Sequence, residues 1–246
     1  MGNDTAAQTG VDALTRDFAE DPELAGLLCK LGNISWQHEK YDWAAELYQY
    51  VIDKWPKTEH EMRAKMGIAK LNISLGDDAA VEATIDSLIA DFNDNPALPE
   101  VVFVIGEEYY NEAFRCEKEG LDAEAKDNFK KAIAIWERII TELQPNAMYP
   151  AQAYCFSGHC YRKLGEYEKS TAYYQYVVAN YPEHRTAWQA LFRIAHNYED
   201  MKDLGIISKT EADPVIKTAY QQFLEKYPDC KMAGVARRWL SRHNSK

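Results

Sequence analysis

Apolar residues recur along this chain at the three-and-four spacing of buried helical stripes. The clearest stripe runs through Leu47, Tyr48, Val51, Ile52 and Trp55, and Pro56 closes it, because proline cannot donate the next helical hydrogen bond. The same phrase returns later: YQYVIDKWP at 48–56 becomes YYQYVVANYP at 173–182, at an offset of 126 residues. That offset also pairs Cys29 with Cys155, Gly32 with Gly158, Tyr41 with Tyr167, Ala44 with Ser170 and Pro56 with Pro182. Small residues hold two slots twelve apart, and large ones fill the slots between. Antiparallel helices approach closely where a small side chain sits at the crossing. Gly32 with Ala44, and Gly158 with Ser170, are therefore predicted crossings.

Weaker copies lie between and after. Ala69, Gly76, Val81, Ile85 and Leu88 take the matching slots 37 residues after the first copy, and Gly106 with Tyr109 another 37 on. Ala195 and Tyr198 follow Gly158 and Tyr161 by 37. The step from Gly106 to Gly158 is 52, so the third copy carries about fifteen extra residues. They fall in the polar, proline-free run NEAFRCEKEGLDAEAKDNFKKA, which predicts a longer helix pair. Prolines 56, 96, 145, 182 and 228 read as punctuation between short-looped helices. Thr58 and Glu61 have capping-box spacing before the second copy, and Asp213–Pro214 reads as an N-cap and first helical position in the fifth.

The expected fold class is all-α: an α-α superhelical solenoid of about five helix pairs plus a C-terminal capping helix. A flexible leader is expected over 1–10 and a single domain over 11–246. Its units are about 22–57, 58–95, 96–146, 147–183 and 184–229, with a cap over 230–243. In that cap Val235, Trp239 and Leu240 face inward and the arginines outward.

The slots form a known pattern. A small residue at slot eight, an aromatic at eleven and Gly-x-Tyr at fifteen to seventeen begin it. A small residue at twenty, an aromatic at twenty-four and Pro at thirty-two complete it. GHCYRKLGEYEKSTAYYQYVVANYP resembles the tetratricopeptide repeat in nearly every slot, and the resemblance extends over about 24–241. The period of 37 and the tyrosine-proline endings are similar to bacterial cell-envelope members, of the β-barrel-assembly lipoprotein and Tol–Pal coordinator type. The resemblance implies a non-catalytic module that binds a peptide or protein partner through a concave groove, in envelope assembly. It places slots two, five, nine and twelve of each first helix on that groove. Carried over, these give Asn33 and Trp36; Arg63, Met66 and Lys70; Phe103, Glu107 and Tyr110; His159 and Arg162; and Phe192, His196 and Glu199. A scaffold associating through the convex face or the 111–128 insertion is the alternative.

Composition narrows the field. A net charge of −11 repels a nucleic-acid backbone, and Arg237–Arg238 is the densest basic run, so no nucleic-acid partner is expected. The apolar stretches fall short of a membrane span, so no direct insertion is expected. Five cysteines in no framework spacing read as free buried thiols. MGNDTAAQTG has neither the charged nor the apolar region of a signal peptide. The compartment is the periplasm or cell envelope if an export signal has been trimmed ahead of it, and otherwise the cytoplasm.

Catalytic chemistry finds little footing. Glu107–Glu108 and Glu199–Asp200 are sequence neighbours, which point about 100° apart on a helix and do not converge. No glycine-rich phosphate loop or Ser/His/Asp set is present, and neither enzyme activity nor a cofactor is expected. Cys155 and His159 share a helical face, with His196 one repeat on, and stand as a minor alternative metal or thiol site.

Overall fold

The computed structural model describes residues 2–18, 21, 23–143 and 148–243. Among them are twelve α-helices and no strand, so the fold class is all-α. The chain forms two compact units, 1–101 and 102–246, where one domain over 11–246 was expected. The division falls inside a helix, α6 (Leu98–Glu119), at the start of the longest pair. Pro145 lies outside the described residues.

The first unit contains α1 (Gly2–Asp17), α2 (Leu24–Gln37), α3 (Tyr41–Lys54), α4 (Glu59–Leu75) and α5 (Asp78–Phe92). Helix α1 runs through most of the stretch expected as a leader over 1–10. It continues N-terminally from Val11 and Leu14, which pack against the core of α2, α3 and α4. At the centre of that core lies the ring of Tyr48, 1 % exposed, between two glycines. A Cβ on Gly32 would stand 2.6 Å from the ring, and one on Gly67 of α4 would overlap it more. The expected crossing of Gly32 with Ala44 is thus a seat for an aromatic ring. Thr58 caps α4 by accepting from Glu61 N, while the Glu61 carboxylate accepts from Lys57 N instead of closing the box.

The second unit continues α6 and adds α7 (Asp122–Thr141), α8 (Met148–Lys163), α9 (Tyr167–Asn180), α10 (Ala187–Asp203), α11 (Lys209–Lys226) and α12 (Ala233–His243). Helices α6 and α7 are the lengthened pair, divided at Gly120, whose φ of 77° lies in the left-handed region that glycine tolerates. Trp136 of α7 lies fully buried over Gly106, and its Nε1 donates to the Phe103 carbonyl oxygen at 3.1 Å. Helix α11 begins five residues before the expected Asp213–Pro214 start. Ser208 and Glu211 form a complete capping box there, a Ser-x-x-Glu signature that outweighs the proline, which is carried inside the helix. Helix α12 covers the end of this unit's core with Ala233 and Ala236, and Val235, Trp239 and Leu240 pack beside them.

Candidate interaction surface

The expected groove residues divide between the two units. In the first unit, Asn33 and Trp36 lie on α2, and Arg63, Met66 and Lys70 on α4. Trp36 is half-buried, donates from Nε1 to Ser74 Oγ at 2.9 Å, and carries Lys70 Nζ over its ring at 4.1 Å. Asn33 is exposed, and its Oδ1 accepts from the Tyr48 hydroxyl at 2.6 Å. Arg63 is exposed and Met66 half-buried, one helical turn apart on α4.

In the second unit two of the expected contacts lie deep. Phe103 and Phe192 are each only 6 % exposed, so they build the floor and offer a partner almost no area. Phe103 stacks on Trp136 at 5.6 Å and meets Phe156 edge-on at 5.4 Å. Phe192 packs against Phe223 at 5.2 Å and against the His196 ring at 4.5 Å. A buried stripe and a binding slot share one helical period, so spacing alone could not separate them.

Above that floor lies a band of paired polar groups joining successive first helices. The Tyr110 hydroxyl of α6 meets His159 Nδ1 of α8 at 2.6 Å. Lys163 Nζ bonds both Glu117 oxygens, at 3.1 and 2.8 Å, and stands 4.7 Å over the Phe114 ring. From α8 to α10, Arg162 grips Asp200 Oδ2 through Nε at 2.7 Å and Nη2 at 2.6 Å. The Tyr220 hydroxyl donates to Glu199 Oε2 at 3.2 Å. The carboxylates of Glu199 and Asp200 therefore serve separate partners, as side chains that point apart on a helix do. Glu107 is half-buried on α6.

Burial drives the His159 pKa down to about 3, and Arg193, Arg162 and Lys163 push the same way. His196 is lowered by burial first, then by Arg162, with Asp200 opposing and Arg193 adding to the fall. Burial raises Glu199, and the Cys155 thiol rises to about 11, which keeps it protonated. Among the described residues no three His, Cys, Asp or Glu side chains converge to hold a metal ion. His159 Nδ1 is taken by Tyr110 and Cys155 is a buried thiol, so the minor metal or thiol alternative at Cys155 and His159 finds no support in this geometry.

Sequence reasoning missed the residues that enclose a cavity of ≈ 360 Å³ beside Arg162 and His196. Trp188 and Arg193 come from α10, and Lys231 with Met232 from the segment before α12. Arg193 lies one residue past a groove slot, and Lys231 in a loop with no periodicity. Only the cationic character of this stretch in an acidic chain could have signalled them. A larger cavity, ≈ 670 Å³, lies in the first unit among Leu14, Phe18, Leu24, Leu27 and His60 and contains none of the expected residues. No helix among the described residues is long and apolar enough to cross a membrane.

No curated protein matches the chain. Similar solved structures include a thermophilic tetratricopeptide-repeat protein of Thermus thermophilus, at 19% identity over 88% of this chain and 97% of that one, with a TM-score of 0.40. YrrB, a tetratricopeptide-repeat protein with an unusual peptide-binding site, is 13% identical over 93% and 99%, with a TM-score of 0.44. A repeat protein from Parabacteroides merdae is 15% identical over 98% and 93%, also at 0.44. Within the chain itself, residues 157–184, the end of α8 and all of α9, match the family model of the tetratricopeptide repeat.

Proposed function

We propose that this chain is a non-catalytic protein-binding module whose contact residues lie on the first helix of each pair. One observation carries the reading. Above a floor closed by Phe103 and Phe192, the outer slots of α6, α8 and α10 bear half-buried aromatic and charged side chains, and a cavity opens beside them. Half-buried aromatic and guanidinium groups are the side chains that dominate binding energy at protein interfaces. The repeat match at 157–184 agrees with that reading, and the tyrosine-proline endings favour envelope assembly as its setting. Trp36, Lys70, Tyr110, His159, Arg162, His196 and Glu199 are the contacts we assign, with Asn33, Arg63, Met66 and Glu107 at the margin.

A second reading, a scaffold associating through the convex face, also has an observation in its favour. Tyr154 of α8 and Tyr176 of α9 stack at 4.2 Å, and Tyr176 is 42 % exposed. Aromatic area left in water often marks a contact. Affinity capture from the native organism separates the two readings. A partner retained by wild type and by Tyr154→Ala/Tyr176→Ala, but lost by Trp36→Ala/Arg162→Ala, supports the first-helix module. The reverse pattern assigns the scaffold, and equal retention by both variants overturns each.

A further inference from the structure

The ≈ 360 Å³ cavity of the second unit has a chemical asymmetry that the packing of the repeat does not require. Three cations line it: Arg162, Arg193 and Lys231. Arg162 is neutralised by Asp200 at 2.6–2.7 Å. Arg193 is half-buried and Lys231 exposed, and neither has a hydrogen bond or ion pair among the described residues. A guanidinium partly removed from water without a partner is held at a cost that a bound anion would relieve. His196 Nε2 is also buried without a hydrogen-bond partner, with Glu199 Oε2 4.0 Å away. The remaining lining is the Gln189 side chain and the apolar Trp188, Phe192 and Met232.

We propose that this cavity receives an acidic side chain from an extended segment of a protein partner, with an apolar neighbour of that residue seated on Trp188 and Met232. The proposal rests on the protein-binding reading above and names the chemistry of the partner. Arg193 supplies a planar fork that matches a carboxylate in two hydrogen bonds, and Lys231 adds a second charge at the mouth. The volume holds one or two side chains, at the small end of ligand cavities.

Charge decides between classes of anionic partner. The chain carries a net −11, so a nucleic acid or an anionic membrane would meet repulsion across most of its contact area. A peptide places one carboxylate between Arg193 and Lys231 and an apolar group beside it. Burial lowers the pKa of both His159 and His196, and Arg193 adds to the fall at each.

The test pans the full chain against a random octapeptide library, acetylated and amidated so that only side chains carry charge. Recovered peptides should be enriched in Asp or Glu beside an apolar residue. The best of them should bind Arg193→Gln about tenfold more weakly than wild type, the effect of losing one charge-assisted hydrogen-bonding group. Lys231→Gln, at an exposed position whose change leaves folding intact, should weaken it in the same direction. Arg193→Glu/Lys231→Glu should shift the recovered peptides towards Lys and Arg. Circular dichroism verifies helical content in each variant. Peptides recovered without acidic enrichment, or with enrichment unchanged by Arg193→Gln and Lys231→Gln, overturn the inference and leave the protein-binding reading standing. Recovery of no peptide overturns both. Self-association on size exclusion that Lys231→Gln abolishes, without peptide enrichment, assigns the cavity to a second copy and overturns the acidic-partner proposal.

Discussion

The two clear copies of the repeated phrase, α2–α3 in the first unit and α8–α9 in the second, fill matched positions with opposite chemistry. In the first copy Ala44 and Ala45 of α3 and Leu71 of α4 are apolar, and Ala44 and Leu71 are buried. The residues 126 further on are Ser170, Thr171 and Asn197, buried as well and hydrogen-bonded. Ser170 Oγ donates to the Gly158 carbonyl at 2.6 Å, and Asn197 Nδ2 donates to Ser170 Oγ at 2.8 Å and Thr171 Oγ1 at 3.1 Å. The central tyrosines differ in the same way. Tyr48 donates to Asn33, but His159, which holds the Asn33 slot in the second copy, is engaged by Tyr110. The Tyr174 hydroxyl is left buried without a well-placed partner, beside a Ser170 hydroxyl already occupied by Gly158 and Asn197. The repeat therefore dictates volume at these slots and leaves polarity open. A polar filling is directional, so it fixes one arrangement of helices where an apolar one tolerates several.

Volume gives the sharpest contrast and the largest expected effect. Tyr48 is held between Gly32 and Gly67, while the atom nearest a Cβ on Gly158 is 3.0 Å away, on Tyr174. Overpacking costs roughly 1–3 kcal/mol per site, against about 1 kcal/mol gained when alanine replaces a helical glycine. Gly32→Ala/Gly67→Ala should lose about 3 kcal/mol, and Gly158→Ala about 1 kcal/mol or less. Amide exchange of α3 and of α9 reads each locally. Equal losses at the two sites would mean that the Tyr48 ring is not clamped.

Polarity gives the next. Asn197→Leu copies the first unit's Leu71 into the second and removes the donor to the Thr171 and Ser170 hydroxyls, leaving Ser170 only its bond to the Gly158 carbonyl, at a cost of about 2 kcal/mol. Adding Ser170→Ala and Thr171→Ala completes the apolar set and should recover most of that loss, because removing both partners of a buried bond is close to neutral. A urea-unfolding cycle over the single, double and triple variants measures the coupling. Additive losses would show that the three side chains do not act together.

Much of the fold was legible because it depends on spacing. Gly32, Tyr48 and Pro56 recur as Gly158, Tyr174 and Pro182, and such a pattern at helical period admits few alternatives to paired helices. Start signals were less legible when two competed: Asp213–Pro214 masked Ser208–Glu211, whose reciprocal hydrogen bonds set the true start of α11. The proposed contacts were legible only in part. Slot counting gave Trp36, Tyr110 and Arg162, which are partly exposed, but it also gathered the buried Phe103 and Phe192, because depth is not encoded in period. Arg193, Lys231 and Trp188 escaped because a cavity is made by residues from separate elements, one of them a loop. Their convergence exists only once the helices are packed.

The smallest effect tests the tyrosine hydroxyls themselves, which identical spacing cannot tell apart. Tyr48→Phe removes the donor to Asn33 Oδ1, a bond at 2.6 Å with its acceptor on an exposed residue, and should cost about 1 kcal/mol. Tyr174→Phe removes a buried hydroxyl that has no partner, so the desolvation it suffers in the folded state disappears with it. That variant should be neutral or more stable by up to about 1 kcal/mol, opposite in sign to its counterpart. Matched thermal unfolding of the two variants is the measurement. The same loss in both would mean that the Tyr174 hydroxyl does find a partner in solution, an ordered water or the Ser170 oxygen. The second copy would then satisfy its central tyrosine as fully as the first, and the contrast between the copies would narrow to the Ser170, Thr171 and Asn197 network alone.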